Sequence, residues 1–471
     1  MIKYTKYVCT EILYNEVLIL QFDINKYESF YFVGIGGISM SSLALILKRS
    51  GKTVKGYDRR RSDATKSLEN EGIEVFYECA ESNCAGCDIA VYTAAVDGSH
   101  PEMKYLAAKS IPTISRAELL GAIAKSYPNS IAVAGTHGKS TTCGILSQIF
   151  LSLNGADPTI LIGAKLPSIS STFRTGHDGN FVFEACEYKD SFLQFYPTVS
   201  VILNVELDHT DYFASIDQMD KSFKHFMDNT APDGCVIVNK DSEHAMLCAS
   251  NHEGKIYTYS VKDPSADFYA KDIHFVDGLP GYTLVFKGRE VFAAELSIPG
   301  VHNISNSLAA VAAAFMSKVP DEAIIKGLKD FRGVGRRFEY KGKINGALVY
   351  DDYAHHPDEI VATLAAAKKL GGKRLISVFQ PHTYSRTNDL LEGFKSAFGD
   401  ADIKVFAEIF PAREENIYGI SSAHIAEGME NALCIDSFEG IADYIRKNAE
   451  DGDTVILMGA GDIDSVAKLL F

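Results

Sequence analysis

A glycine-rich turn in the middle of the chain carries a lysine and several hydroxyl groups, a combination that could bind phosphate. Residues 135–142 read G-T-H-G-K-S-T-T, with an apolar run at 131–134 before them and a helical run at 143–150 after them. Glycines let backbone N–H groups approach an anion closely, and the N-terminus of the following helix adds a partial positive charge. The pattern predicts an ATP-binding loop in which Lys139 reaches the β- and γ-phosphates and Ser140 ligates Mg²⁺. The predicted ATP-binding residues of this loop are Gly135, Thr136, His137, Gly138, Lys139, Ser140 and Thr141.

Acidic residues follow two apolar segments that we expect to be strands of the same sheet. Residues 181–183 end at Glu184, and residues 199–205 run into a second polar cluster that ends at His209. Mg²⁺ is usually held by one or two carboxylates together with phosphate oxygens and water. Glu184 alone would often be a surface acid, but two such strand ends beside a Lys-Ser pair favour a metal site.

A second glycine turn, near the start of the chain, has a different pattern. Residues 34–40 read G-I-G-G-I-S-M before an apolar helix at 41–49, and the next strand, 53–57, ends on Asp58. This order is typical of a Rossmann-like domain, which holds a pyrophosphate on the helix N-terminus. An NAD site with Asp58 on the ribose is one interpretation. However, Ser39 replaces the third glycine of that fingerprint, and the phosphate loop would leave NAD without a role.

The last third of the chain alternates strand and helix patterns, which predicts a second Rossmann-like sheet. Strand 347–350 runs into D-D-Y-A-H-H-P, and strand 374–379 runs into Q-P-H-T-Y-S-R. An amino-acid substrate needs a cation for its carboxylate, and Arg386 suits that role. Tyr353 and His355 could line the same pocket, although a double histidine can also be a polar helix entry.

Two further segments could contact nucleotide. F-R-G-V-G-R-R-F at 331–338 is glycine-rich and basic, which favours an interdomain hinge whose arginines can bind phosphate. P-G-V-H-N-I-S-N at 299–306 precedes an alanine-rich helix at 307–317. Its asparagines suit nucleotide recognition and helix capping equally, so the residues alone leave that choice open.

Length, charge and hydropathy restrict the class of protein. A chain of 471 residues should form about three domains, and Tyr127-Pro128 is a plausible first boundary. The formal charge of −15, with no basic stripe, argues against nucleic acid as a partner. No run of about 18 apolar residues and no signal-peptide pattern occurs, so we expect a cytoplasmic protein without a membrane partner.

The nine cysteines are scattered along the chain. Cys79, Cys84 and Cys87 come closest to a metal-binding spacing, but no fourth ligand follows them at the spacing of a zinc site. We therefore expect reduced, structural cysteines.

Several segments resemble the Mur ligases, a family of ATP-driven amide-forming ligases of cell-wall synthesis. They are G-T-H-G-K-S, E-A-C-E-Y-K-D-S-F, N-V-E-L-D-H-T-D-Y, H-N-x-x-N, R-R-F-E, D-D-Y-A-H-H-P and F-Q-P-H-x-Y-S-R-T. The last two, with the turn G-I-G-G-I-S-M, resemble the alanine-adding branch most closely. The expected fold is α/β with three domains: N-terminal Rossmann-like, central P-loop ATPase-type mixed sheet, and C-terminal Rossmann-like. They would bind UDP-sugar (1–127), ATP (128–335) and amino acid (336–471).

The resemblance also implies roles for single residues. The implied UDP-sugar-binding residues are Gly34, Gly36, Gly37, Ile38, Ser39, Asp58, Thr93 and Arg116. Asn306, Arg337 and Asp352 would join the ATP site, with Arg337 contacting the γ-phosphate on domain closure. Ser140, Glu184 and His209 would hold Mg²⁺, while Asn204 and Asp208 would shape that site. The implied catalytic residues are Lys139, Glu184, His209, Arg337 and His355, and the amino-acid-binding residues are Tyr353, His355 and Arg386.

By this resemblance, the chain would join L-alanine to the carboxylate of UDP-N-acetylmuramate through an acyl phosphate, in peptidoglycan precursor synthesis. Mg²⁺ would be the cofactor, ATP a co-substrate and a homodimer a conceivable assembly. Three alternatives stay open at this point. They are an NAD-dependent oxidoreductase built on the first glycine turn, a P-loop switch protein, and the tripeptide-adding ligase of wall recycling.

Overall fold

The computed structural model describes residues 23–93, 96–209, 212–412 and 414–471, which form three α/β units with one sheet each. The predicted α/β class with three domains is confirmed. The first 20 residues lie outside the described residues, as do Ala94 and Ala95 after the fourth strand and Thr210 and Asp211 of the N-V-E-L-D-H-T-D-Y segment.

The N-terminal unit is a five-stranded parallel sheet of order β3-β2-β1-β4-β5. Its strands are β1 Ser29–Val33, β2 Thr53–Tyr57, β3 Glu74–Phe76, β4 Ile89–Tyr92 and β5 Thr113–Ser115. Its helices are α1 Ile38–Arg49, α2 Asp63–Asn70, α3 Pro101–Ala108 and α4 Arg116–Lys125. The strand order reverses at β1, so a crevice opens at the carboxyl end of β1, where the glycine turn lies. Helix α1 begins at Ile38 and not at residue 41 as expected, because Gly37 already serves as its N-cap.

The central unit is a ten-stranded mixed sheet of order β15-β14-β13-β12-β11-β10-β6-β9-β7-β8. Its strands are β6 Asn129–Ala134, β7 Thr159–Leu166, β8 Ser171–Arg174, β9 Asn180–Glu184, β10 Val199–Ile202, β11 Cys235–Asn239, β12 Ile256–Ser260, β13 Phe268–Val276, β14 Leu279–Phe286 and β15 Arg289–Glu295. Its helices are α5 Lys139–Leu151, α6 Ile216–Asp228, α7 Glu243–Ala249, α8 His302–Met316 and α9 Asp321–Asp330.

Two local expectations for this unit need correction. The alternating apolar and polar residues at 253–295, with their many glycines, predict an antiparallel excursion, and this prediction is right for β13 to β15 but wrong for β12. Strand β12 is parallel to β11 because it arrives after the crossover helix α7. Helix α8 begins at His302 and not at residue 307, so the H-N-x-x-N motif forms its first turns.

The C-terminal unit is a six-stranded sheet of order β16-β17-β21-β18-β19-β20, parallel except for the β16–β17 pair. Its strands are β16 Glu339–Ile344, β17 Ala347–Asp352, β18 Leu375–Phe379, β19 Ile403–Phe406, β20 Ala432–Cys434 and β21 Thr454–Met458. Its helices are α10 Pro357–Lys369, α11 Tyr384–Asp389, α12 Leu391–Ala397, α13 Ser422–Ala426, α14 Phe438–Asn448 and α15 Ser465–Leu470.

The 331–338 segment that joins the central and C-terminal units is tied to both of them. The Gly335 N–H donates to Lys165 O of β7 at 2.7 Å, and the Arg336 guanidinium donates to Gly459 O and Gly461 O, which follow β21. Gly333 has a φ of +95°, a left-handed conformation that glycine adopts without strain. None of the helices in the described part of the chain has the length and apolar character needed to cross a membrane.

Candidate active site

The phosphate loop leaves the end of β6 and enters α5 through a left-handed glycine. Gly138 is the N-cap of α5 and has a φ of +87°. A Cβ atom on Gly138 would lie 2.5 Å from the Asn306 Oδ1 atom, and one on Gly135 would lie 2.8 Å from the Leu203 Cβ atom. Both the backbone conformation and the close neighbours therefore require glycine at these positions.

The first half of this loop is bonded to the segment that follows β10. The Thr136 N–H donates to Asn204 O at 3.1 Å, and the His137 N–H donates to the Asn204 Oδ1 atom at 2.8 Å. The Thr136 hydroxyl bonds both the N–H and the carbonyl of Glu206. Because these N–H groups are already bonded, the amides offered to an anion are those from Gly138 onward, at the helix N-terminus.

The Lys139 ammonium group is held by the protein itself. It donates to Gly135 O, to Thr136 O at 3.1 Å and to both carboxylate oxygens of Glu187 at 3.0 Å. Glu187 is fully buried. Burial would raise the pKa of Glu187, but the charge of Lys139 and the contact with His209 together hold that pKa below its ordinary value. Glu187 was not among the site residues predicted from the sequence, although its signal was present as the second acid of E-A-C-E.

The predicted metal ligands lie around the same corner of the sheet. Glu184 ends β9, directly beside β6, and its Oε1 atom accepts a hydrogen bond from the Gly163 N–H at 2.5 Å. The His209 Nε2 atom lies 3.6 Å from the Glu187 Oε1 atom, so this histidine faces Glu187. The Glu184 carboxylate and the Ser140 hydroxyl supply oxygen donors, and this chemistry fits Mg²⁺.

A cavity of about 320 Å³ opens next to the phosphate loop, between the central and C-terminal units. Its lining includes His137, Gly138, Thr141, Asn306, Arg337 and Asp352. The Asn306 Nδ2 atom donates to the Asn303 Oδ1 atom at 3.0 Å, which fixes the amide against Gly138. This volume is typical of a small-molecule site, and the structure thus brings most of the predicted nucleotide residues together.

Glu359, in the first turn of α10, connects the two units across this cavity. Its Oε1 atom lies 3.1 Å from His137 Nδ1 and 3.6 Å from Arg337 Nη1. Burial would raise the pKa of Glu359, but His355, His137 and Arg337 hold it well below its ordinary value. Glu359 was not predicted from the sequence either, because a glutamate in a first helical turn is an ordinary residue beside the helix N-terminus.

The predicted amino-acid residues also face the central unit. The Arg386 Nη2 atom lies 3.3 Å from the Asp208 Oδ1 atom. Burial would raise the pKa of Asp208, but the charges of His209 and Arg386 lower it to about 2. Burial lowers the pKa of His355 to about 4, so its imidazole is neutral at pH 7. The Tyr353 ring lies about 5.2 Å below the Arg337 guanidinium.

The predicted UDP-sugar residues gather around the first glycine turn. The Asp58 Oδ2 atom accepts from the Gly36 N–H at 2.9 Å, and the Arg116 Nη1 atom donates to the Ser39 hydroxyl at 3.2 Å. A Cβ atom on Gly34 would lie 2.8 Å from the Thr93 Cγ2 atom. Asp58 therefore supports the turn directly, a contact that its position at a strand end did not reveal.

Cys186 follows Glu184 and Ala185 at the end of β9. Burial and the neighbouring Glu187 carboxylate raise the pKa of its thiol above the ordinary value.

Comparisons with known proteins decide the family. Three family models match the chain: the Mur ligase family catalytic domain at 29–128, the Mur ligase middle domain at 133–314 and the Mur ligase glutamate ligase domain at 336–461. The chain belongs to the Mur ligase family. This membership confirms the prediction of an ATP-dependent amide-forming ligase of peptidoglycan synthesis, and the oxidoreductase and switch alternatives are set aside.

Individual relatives agree with the family models over almost the whole chain. The chain is 44% identical over 452 residues to a UDP-N-acetylmuramate–L-alanine ligase of Agathobacter rectalis, covering 95% of this chain and 98% of the relative. It is 43% identical to the enzyme of that name from Acetivibrio thermocellus, covering 95% and 96%.

Solved structures of related ligases share the fold. The crystal structure of UDP-N-acetylmuramate-alanine ligase from Thermotoga maritima matches with a TM-score of 0.78 at 25% identity, covering 94% of this chain and 98% of that one. A murein peptide ligase from Psychrobacter arcticus matches with a TM-score of 0.68 at 25% identity, covering 94% and 97%.

Proposed function

We propose that this ligase joins L-alanine to the carboxylate of UDP-N-acetylmuramate, with cleavage of ATP to ADP and phosphate, in the cytoplasm. The observation that carries the proposal is the 44% identity, over nearly the full length of both chains, to a relative with that name. We further propose that residues 1–127 bind the UDP-sugar, 128–335 bind ATP and 336–471 bind the amino acid.

In the first step, a carboxylate oxygen of the muramate attacks the γ-phosphorus of ATP and ADP leaves, which gives an acyl phosphate. The negative charge spread over the transferring group needs fixed positive groups. Lys139 and Arg337 are our candidates. Both are paired with buried acids, Glu187 and Glu359, so each must exchange a carboxylate for phosphate when ATP binds.

A bound Mg²⁺ would neutralise phosphate charge, and Ser140, Glu184 and His209 are the residues proposed to hold it. The Glu187 carboxylate lies beside this group, 3.6 Å from the His209 Nε2 atom. Because Glu187 is fully buried, we expect it to hold His209 and Lys139 in position until ATP binds.

In the second step, the neutral amine of alanine attacks the acyl carbon and phosphate leaves. The Arg386 guanidinium would bind the alanine carboxylate through two parallel hydrogen bonds. For this, Arg386 must release Asp208. The His355 Nδ1 atom contacts Tyr353 O at 2.9 Å, and this contact orients its neutral ring. His355 is our candidate to accept the proton that the attacking amine loses.

Phosphate release tests this function directly. The purified chain receives UDP-N-acetylmuramate, ATP and Mg²⁺, and amino acids are added one at a time. We expect release that depends on both the sugar acid and L-alanine. Release without the sugar acid would contradict the proposal.

A Lys139→Ala variant separates the ATP site from the UDP-sugar site. We expect it to lose turnover while retaining UDP-N-acetylmuramate binding, measured by calorimetry. Lys240→Ala is the matched control, because Lys240 pairs with Asp263 in the same unit, outside the cavity described above. Loss of UDP-sugar binding in Lys139→Ala would refute the proposed division of sites.

A second candidate function is the addition of a preformed peptide to the same sugar acid. The similarity to a murein peptide ligase over 94% of this chain supports this second candidate. Phosphate release with a tripeptide and none with L-alanine would select this function. Light scattering of the same preparation tests the homodimer.

A further inference from the structure

Three side chains that the proposed ligase reaction does not use converge in the N-terminal unit. One ligand atom from each of Cys79, His100 and Glu102 lies within 4.8 Å of the other two. Cys79 is an exposed residue after β3, His100 is the N-cap of α3, and Glu102 is a fully buried residue in the first turn of α3. Thiolate, imidazole and carboxylate are the three ligand types that zinc sites use.

The buried carboxylate is only partly satisfied by the protein. The Glu102 Oε1 atom accepts hydrogen bonds from the Tyr31 hydroxyl at 2.9 Å and from the Asn83 Nδ2 atom at 3.4 Å. Within the described parts of the chain, Glu102 Oε2 and His100 Nδ1 are buried without a hydrogen-bond partner. Buried polar atoms are normally paired, so the unpaired Glu102 Oε2 atom is an observation that a bound cation would explain.

The surroundings orient the set towards a common point. The His100 ring rests on the Tyr57 ring with centroids 5.6 Å apart, and Tyr31 and Asn83 fix the Glu102 carboxylate. Burial and the Glu102 carboxylate raise the pKa of the Cys79 thiol, so a bound cation would have to displace the thiol proton. Cys79 reaches the solvent, so an ion could enter without rearrangement of the fold.

We propose that Cys79, His100 and Glu102 form a binding site for Zn²⁺, with the fourth position open to solvent. In a tetrahedral site, bonds of about 2.3 Å to sulfur and about 2.0 Å to nitrogen or oxygen place ligand atoms roughly 3.5 Å apart. The Cys79 Sγ atom lies 4.0 Å from the His100 Nε2 atom. Closure onto the ion would shorten this sulfur–nitrogen distance by about 0.5 Å, a movement that the exposed cysteine can make.

The proposed site would make Cys79 an exception to the expectation that the cysteines are structural. Cys84 and Cys87 are buried, and the Cys84 thiol donates to Glu81 O at 3.3 Å, so these two remain structural. The partners of Cys79 come from the start of α3, beyond the usual spacing of a zinc motif. The site is also distinct from the proposed Mg²⁺ site, which lies in the central unit and contains harder, oxygen-rich donors.

The site adjoins the first glycine turn. Tyr57, whose ring supports His100, is the last residue of β2, and its carbonyl accepts hydrogen bonds from Gly34 N at 2.8 Å and Ile35 N at 2.9 Å. Zinc in this cluster would therefore brace the strand end that holds the turn. This link does not depend on which UDP-sugar the turn binds.

Cobalt titration of the untagged full chain, stripped of metal with a chelator, tests the proposal. Co²⁺ bound to a thiolate gives a near-ultraviolet charge-transfer band, which oxygen-ligated cobalt does not. We expect a band that saturates at one cobalt per chain and disappears when one equivalent of Zn²⁺ is added. Absence of the band in the folded wild-type protein would overturn the proposal.

Variants assign the band to these residues. Cys79→Ser should abolish it, His100→Ala should raise the Zn²⁺ dissociation constant at least tenfold, and the exposed Cys434→Ser should leave both unchanged. Thermal unfolding checks each fold, and Zn²⁺ should raise the midpoint of wild type but not of Cys79→Ser. A band that persists in folded Cys79→Ser would place the metal on another cysteine and refute the site. Glu102→Gln, which keeps the Tyr31 contact, should also weaken zinc binding.

Discussion

We expect the Gly138→Ala substitution in the phosphate loop to weaken ATP binding. The φ of +87° at this residue costs an alanine about 1–2 kcal/mol. The new Cβ atom would also lie 2.5 Å from the Asn306 Oδ1 atom, and Asn306 is held by its hydrogen bond to Asn303. The amide must therefore move out of the cavity, and the helix N-terminus loses its shape for phosphate. We expect the KM for ATP to rise tenfold or more, which corresponds to about 1.4 kcal/mol.

Gly155→Ala is the matched control for this experiment. Gly155 has a φ of +76°, and a Cβ atom there meets no described neighbour within 4 Å. Both variants carry the same backbone strain, so both should lose about 1–2 kcal/mol of unfolding free energy in urea. Only Gly138→Ala should change the KM for ATP, measured by phosphate release. Equal KM values in the two variants, or equal loss of UDP-sugar binding, would refute the assignment of this loop to ATP.

Three further changes have definite expected outcomes. Arg386→Lys keeps the charge but loses the bidentate hydrogen bonding of the guanidinium, so the KM for L-alanine should rise about tenfold while the KM for ATP stays unchanged. The control is Arg374→Lys, which alters a pair with Asp453 on the far side of the unit and should change neither KM. Glu187→Gln breaks a buried ion pair and should lower the unfolding free energy by about 3 kcal/mol in urea, whereas an unchanged midpoint would mean that Lys139 has another anionic partner. Burial raises the pKa of Asp351 to about 6, so the folded state keeps a proton that the unfolded chain releases near pH 4. This contribution to the free energy of unfolding is complete below about pH 4 and is lost as the pH rises through 6, roughly 3 kcal/mol in all. Asp351→Asn should therefore reduce the pH dependence of the unfolding free energy between pH 4 and 7. An unaltered pH dependence would contradict this reasoning.

Features that depend on a short stretch of chain could be predicted from the sequence. Both glycine turns, the strand ends at Glu184 and Asp352 and the alternating C-terminal sheet follow from local apolar patterns and turn residues. Such patterns fix where a strand ends, and the carboxyl ends of parallel strands meet at one edge of the sheet. For this reason the main cluster of site residues could be predicted from the sequence alone.

Residues whose surroundings come from distant parts of the chain could not be predicted. Glu187 precedes an irregular 3₁₀ segment, Tyr188–Gln194, and its contact with Lys139 exists only after β6 and β9 pair. Glu359 looks like an ordinary first-turn acid until the C-terminal unit meets His137. The early start of α8 was missed because its polar first turns face a cavity, which a search for apolar periodicity does not detect.

The buried acid beside Lys139 has a consequence for selectivity among anions. A bare ammonium group at a helix N-terminus would attract inorganic phosphate or any small oxyanion that diffuses past. Here, the cation is already paired with the buried Glu187, and an incoming anion must compete with that carboxylate. A nucleoside triphosphate whose base and ribose also bind in the cavity can replace Glu187 as the partner of Lys139. A single small oxyanion makes no such additional contacts. The Lys139–Glu187 pair therefore favours binding of ATP over binding of inorganic phosphate in the empty enzyme.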